Sequence, residues 1–216
     1  MKWRNQILAL LCLTIFIALG VLYFRHWVVQ KPFGIVLFIG EGLTPNRVAA
    51  TRLYAGGANA HLVIQAFERV KTSMPLLIVG DAPYAHDYIA GLKSTSDTRV
   101  LFPGALYGMD YRELQSHAYV YVHATEVGGT HPALIEAMGA GNCVIVYDTP
   151  ENREVVGDCG LFFSSGVELI NLLQKAIDSP QLVDSFREKA QARARKQYSW
   201  DAIADEYEAL FRELCS

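Results

Sequence analysis

From Pro75 onward, short apolar runs alternate with stretches of helical spacing, and this rhythm limits the fold more than any other feature of the chain. The strand-like runs are 75–80 (PLLIVG), 99–102, 119–123 (YVYVH), 142–147 (NCVIVY) and 160–163. Helical spacing fills 61–71, 84–93, 111–117 and 132–140, and then the three final segments 167–177, 182–196 and 200–214. Apolar runs of four to six residues without polar alternation belong to strands buried on both faces, which means a parallel sheet covered by helices on either side. Right-handed crossovers then predict an α/β, Rossmann-like domain, with ligands taken at the carboxyl ends of the strands. Residues 40–42, 80–83, 103–108 and 125–132 lie at such ends.

The N-terminus follows a different rule. Residues 7–24 (ILALLCLTIFIALGVLYF) run for 18 positions without a charge, and Trp27 and Val28–Val29 extend the run. A helix needs roughly 20 such residues to cross a bilayer. Trp3, Tyr23 and Trp27 flank the run where aromatic belts sit, and Lys2, Arg4 and Arg25 bracket it. No small-x-small cleavage site follows, so the reading is an uncleaved single-pass anchor over 7–29 rather than a signal peptide. Basic residues on both sides leave its orientation open.

A net charge of −3 gives no reason to expect nucleic acid as a partner. The basic stretch 187–196 (REKAQARARK) is expected to be a solvated helix face. The four cysteines (Cys12, Cys143, Cys159 and Cys215) have no CxxC or Cys/His metal spacing, and read as buried small residues of a reducing compartment. No metal site and no cofactor is expected.

Chemistry concentrates in residues 122–148, VHATEVGGTHPALIEAMGAGNCVIVYD. A strand runs into Gly128 and Gly129, whose lack of a Cβ lets the backbone approach a ligand closely. Thr130 is a candidate N-cap, and Pro132 suits the first turn of a helix. The free N–H groups at that helix start make a place for a diphosphate. Glu136 sits one turn further in, where a carboxylate can accept from ribose hydroxyls. His131, in the same loop, stands where it could touch a phosphate or a sugar, and equally where a plain loop residue would. His123 ends an apolar strand and reads as a satisfied core histidine. Glu151, Arg153 and Glu154 follow the next strand as sugar-orienting groups or a solvated cap, and Trp200 is expected to pack.

TEVGGTHPALIEAMGAGNCVIVYDTPENREVVGD resembles the donor-site signature of the family 4 retaining glycosyltransferases. LLIVGDAPY at 76–84, YRELQSHAYVYVHATE at 111–126 and YSWDAIADEYEALF at 198–211 are similar to other landmarks of that family's C-terminal domain. The resemblance covers roughly 59–214. It implies one half of a GT-B fold that binds a nucleotide diphosphate sugar. Gly128, Gly129 and Thr130 would lie around the diphosphate and Glu136 at the ribose. Gly80, Asp81 and Ala82 would lie beside the nucleotide, and the strand ending near 102–104 beside the base. Two family features are absent. Gly128 stands where the first of two glutamates is usual, with Glu126 two residues out of register. Glu41 stands near where an arginine usually meets the leaving diphosphate. No residue is assigned to catalysis.

Residues 1–58 resemble a different family. An apolar helix followed by GIVLFIGEGLTPNRVAATRLYAGG is similar to the start of a bacterial alkaline phosphatase, with Gly40-Glu41-Gly42 where that family has Gly-Asp-Gly. The chain is therefore divided as anchor 1–30, phosphatase-like strand and helix 31–58, and glycosyltransferase domain 59–216. About 30 residues between anchor and domain cannot build the acceptor-binding half of a GT-B enzyme. The expected function is thus an incomplete retaining glycosyltransferase, weakly active or inactive alone, with a separate acceptor-binding domain as a partner. The alternatives are a truncated membrane phosphatase and an inactive fusion. The globular part is expected on the cytoplasmic side of the membrane, where nucleotide sugars are.

Overall fold

The computed structural model describes residues 34–38, 59–80, 85–126 and 131–215, together with Thr14 and Ala18. Contacts divide the chain into Met1–Pro32 and Phe33–Ser216. Of the first unit only Thr14 and Ala18 are described, and both are helical. The rest of the expected anchor, the helix expected within 31–58, and Glu41 lie outside the described residues. Among the described residues no helix is long and apolar enough to cross a membrane.

The second unit alternates strand and helix throughout. Its elements are β1 (Gly34–Phe38), α1 (Ala60–Phe67), β2 (Leu76–Val79), α2 (His86–Lys93), β3 (Val100–Gly104), α3 (Gly108–His117) and β4 (Ala118–His123). They continue as α4 (Pro132–Gly139), β5 (Cys143–Tyr147), α5 (Pro150–Val156), β6 (Leu161–Phe163), α6 (Gly166–Asp178), α7 (Pro180–Gln197) and α8 (Trp200–Leu214). The strands form one sheet in the order β3-β2-β1-β4-β5-β6, with every neighbouring pair parallel. β1 lies at its centre, pairing Leu37 with Ile78 on one side and Val36 with Tyr121 on the other. After β1 the chain winds toward β3, and after β4 it winds toward β6. The crevice at the carboxyl ends of β1 and β4 is the topological switch point of such a sheet.

Strand side chains alternate between two cores. Leu76, Ile78, Val120, Val122, Cys143 and Ile145 meet α1 and α6 through Val63, Phe67, Leu169 and Leu173. Leu77, Val79, Tyr121, Val144 and Val146 meet α4, α5 and α7 through Leu134, Met138, Val155 and Ala190. A sheet covered on both faces needs no polar alternation, which explains the unbroken apolar runs. Cys143 and Cys159 are buried free thiols, and burial pushes Cys143 up to about 12, so it stays protonated. Cys215 is exposed.

One helix was not expected and two expectations need correction. Residues 150–156 form a helix, α5. Thr149 accepts from the Asn152 N–H, and Pro150 takes the first helical position, where its missing N–H costs nothing. The basic stretch of α7 is only partly a solvated face. Lys189, Arg195 and Lys196 are exposed, whereas Arg187 reaches the carbonyl oxygens of Ala118 and Tyr119, and Arg193 those of Glu154 and Val155. Helix ends leave carbonyls without intrahelical partners, and Arg193 satisfies two of them in the last turn of α5, while Arg187 takes the first two carbonyls of β4. Finally, Trp200 does not pack: it is 85% exposed at the start of α8, a helix with no buried residue.

Candidate functional site

The carboxyl edge of the sheet is tied together by side-chain amides. Asn59, just before α1, gives its backbone N–H to the Ala124 carbonyl (3.3 Å) and its Nδ2 to Glu126 Oε1 (2.5 Å). Asn152 of α5 donates to the carbonyls of Thr125 (3.0 Å) and Tyr147 (2.9 Å). The segments leaving β4 and β5 are thereby held to α1 and α5. Glu126 therefore sits at the switch point as an oriented carboxylate. Burial first, and then the Glu126 charge, raises the Tyr147 phenol above its ordinary value.

Helix α4 begins where the sequence placed it, with Pro132 at its first position, but its N-cap is His131 and not Thr130. The shift follows from proline itself. Its ring disfavours helical geometry in the residue before it, so the helix cannot start earlier than Pro132. His131 adopts φ −93°, ψ 109°, and its side chain makes no capping hydrogen bond to this first turn. The carbonyl of His131 accepts from Leu134 and Ile135. Glu136, one turn in, is exposed and accepts from the Tyr111 hydroxyl at 2.7 Å. That hydroxyl accepts in turn from Gln115 Nε2 at 2.9 Å, so α3 fixes the carboxylate of α4. Gly128, Gly129, Thr130 and Asp81 lie outside the described residues.

Gly80 closes β2 with φ 131°, a conformation that a Cβ would strain, and gives its N–H to the Gly104 carbonyl at 2.9 Å. The ends of β2 and β3 are so joined. Arg153 pairs with Asp148 through two nitrogens (2.5 and 2.7 Å) and lies over the Phe162 ring. Both partners are committed to each other, with Asp148 held below its ordinary range by the hydrogen bond from Arg153. Glu151 and Glu154 are exposed.

His123 departs from the satisfied core histidine that its position suggested. It is 4% exposed, and neither ring nitrogen has a hydrogen-bond partner among the described residues. Its ring contacts that of His131, with centroids 4.7 Å apart and planes tilted by 55°. Burial, and then the neighbouring His131, lowers His123 to about 3, so it is neutral at every ordinary pH. Burial also lowers His131, against an opposing pull from the Glu151 carboxylate. Sequence reasoning missed Asn59, Tyr111, Gln115 and Asn152. Only the i, i+4 pair of Tyr111 and Gln115 carried a signal, since that spacing puts two polar groups on one helix face.

A six-stranded parallel sheet in this order, with a proline-started helix beside its switch point, defines a doubly wound α/β domain of Rossmann type. Within that class the chain belongs to the glycosyl transferases group 1 family, whose model matches residues 44–179. The match begins within residues 31–58, the segment expected to belong to a different family. A frog (Xenopus tropicalis) protein, glycosyltransferase 1 domain-containing protein 1, is 25% identical over 107 residues, 49% of this chain and 31% of the relative. Anabaena HepE, in its complex with UDP and glucose, is a similar structure at TM-score 0.69 and 20% identity, covering 89% of this chain and 51% of that one. Sucrose-phosphate synthase from Thermosynechococcus elongatus follows at TM-score 0.66 and 20% identity, over 88% and 48% of the two chains. This chain thus spans under a third of the frog protein and about half of each of the two solved structures.

Proposed function

We propose that this chain is the donor-binding half of a retaining glycosyltransferase, holding a nucleotide diphosphate sugar at the carboxyl edge of its sheet. The observation that carries the reading is the α4 N-terminus beside the switch point, with Glu136 exposed one turn in and steadied by Tyr111. Free N–H groups at a helix start attract phosphate, and a fixed carboxylate suits a pair of ribose hydroxyls. In this reading Gly128, Gly129, Thr130 and His131 surround the diphosphate, and Gly80 and Asp81 flank the nucleotide. The complexes of HepE with UDP and glucose support that ligand class. Glu126, oriented by Asn59, is the carboxylate nearest in sequence to the vacant first-glutamate position at Gly128. The acceptor-binding half is supplied by a separate domain, and residues 7–29 anchor the chain with this domain on the cytoplasmic side. Hexosyl transfer by this chain alone is weak or absent. The phosphatase alternative rests on Glu41, whereas β1 of the same segment forms the centre of the sheet, which favours the transferase.

Thermal unfolding of the full chain in millimolar UDP, GDP, dTDP or ADP tests the reading, with Glu136→Ala as control. A ligand at about 100 times its dissociation constant stabilises by roughly 2.7 kcal/mol, a shift of several degrees. The expected result is a shift with one nucleotide that the control loses. No shift with any of the four would mean that the domain has kept its fold without its donor site.

A further inference from the structure

The pair His123 and His131 is not explained by packing. A buried imidazole whose two nitrogens lack partners costs about 1–3 kcal/mol per orphaned group. An apolar side chain in this buried place at the end of β4, where the other ring alongside is that of Tyr121, would carry no such cost. The orphaned ring is set against one residue in particular, the N-cap of α4. The centroids are 4.7 Å apart, a separation at which two imidazoles turned toward each other can bring one nitrogen of each into hydrogen-bond range.

We propose that His123 is a positioning residue, whose ring N–H donates to the inward nitrogen of His131 and so fixes the His131 proton on its outward nitrogen. A neutral imidazole has one N–H and one lone pair, and the partner of one nitrogen decides what the other presents. With its inner lone pair occupied by His123, His131 presents an N–H beside the free N–H groups of α4. A phosphate oxygen or sugar hydroxyl can accept from it. The opposite tautomer would turn a lone pair toward the same ligand and repel a phosphate oxygen. Burial keeps His123 neutral, so it sets the tautomer without adding charge. The ligand consequence rests on the donor site proposed above; the tautomer does not.

Long-range proton–nitrogen NMR of the histidine rings in the labelled full chain, without ligand at pH 7.5, reads the tautomer directly. His131 should show a single tautomer in the natural chain and a mixture in His123→Phe, which keeps a ring and removes its nitrogens. His123→Gln retains an amide donor and should preserve most of the bias; it also serves if the phenylalanine variant does not fold. A mixture in the natural chain, or an unchanged single tautomer in both variants, overturns the proposal. UDP affinity is the second readout. His131→Ala should weaken binding about three- to tenfold, the worth of one neutral hydrogen bond. His123→Phe should weaken it by no more than that, and the double variant should be no worse than His131→Ala alone. Additive losses would show the two residues acting independently and overturn the coupling. If no form binds UDP, the donor-site reading fails for that nucleotide while the tautomer result still decides the role of His123.

Discussion

Helices α7 and α8 follow one another in the chain, with 18 and 15 residues, and the domain treats them in opposite ways. α7 is rich in charge and buries only Val183, Ala190 and Ala194, yet it is seated against α4 and β5. α8 carries Tyr207, Leu210, Phe211 and Leu214 and buries nothing. Attachment here follows shape and unmet hydrogen bonds more than apolar content. Alanines let the α7 backbone approach closely, and its polar side chains then reach carbonyls at three helix ends. Arg187 takes that of Ala118 after α3, Gln191 that of Gly139 in α4, and Arg193 those of Glu154 and Val155 in α5. The contacts to Ala118 and Val155 are part-buried and those to Gly139 and Glu154 exposed, so the first two are worth more than the last two.

The largest effect should come from filling the close approach. Ala190 is fully buried among Leu134, Met138, Val144 and Val155, and Ala190→Leu forces three more heavy atoms into that space. Overpacking on this scale should cost about 3 kcal/mol in urea unfolding. The same exchange at exposed Ala204 of α8 should stay within about 0.5 kcal/mol. Equal losses at the two sites would erase the contrast between the helices. Next comes the anchor itself. Arg193→Ala should lose about 2 kcal/mol by stranding two carbonyls, while exposed Arg195→Ala loses about 0.5 or less. If both arginines prove equally dispensable, α7 is held by its alanines alone.

Gly157 sharpens the same point at smaller size. It ends α5 with φ 59°, and an added Cβ would stand 2.9 Å from Arg193 Cζ and Nη1. Gly157→Ala should cost about 1–2 kcal/mol from backbone strain, with the guanidinium displaced from its carbonyls. In an Arg193→Ala background the steric part should vanish and only the strain remain. A double-variant cycle measures this directly, and strict additivity would mean the two groups never meet.

How much of this was legible in the sequence depends on the range of the interaction. The strands could be read because burial on both faces writes itself into consecutive residues such as 76–79 and 143–147. Pro132 and Glu136 could be read because helix starts are local. Helix α5 escaped notice because seven largely polar residues give no periodic signal, although Thr149 and Pro150 did mark its start. The inward turn of Arg187 and Arg193 was not legible, since the carbonyls they satisfy lie 38 to 69 positions away. The orphaned nitrogens of His123 and the clasp of Tyr111 on Glu136 likewise depend on which elements the sheet brings together. The apolar run of β1 was legible as a strand able to serve as the first of this sheet, and only its pairing with β2 and β4, far along the chain, needed the structure.

The smallest effect tests the other helix. Contiguous exposed apolar side chains on a folded domain mark a surface that something else covers, or one prone to self-association. Among the described residues nothing covers α8, so its apolar face contributes little to the stability of the domain as it stands. Leu210→Ser and Phe211→Ser should therefore each change the urea midpoint by no more than the equivalent of about 0.5 kcal/mol. A core leucine lost in the same way would cost several times that. Solubility of the purified chain should rise with both substitutions. A loss above about 1 kcal/mol in dilute solution would mean that the chain covers this face itself, and a loss that grows with protein concentration would mean that a second copy does. Either result would make α8 an attached helix like α7, held by apolar contact where its neighbour is held by carbonyls.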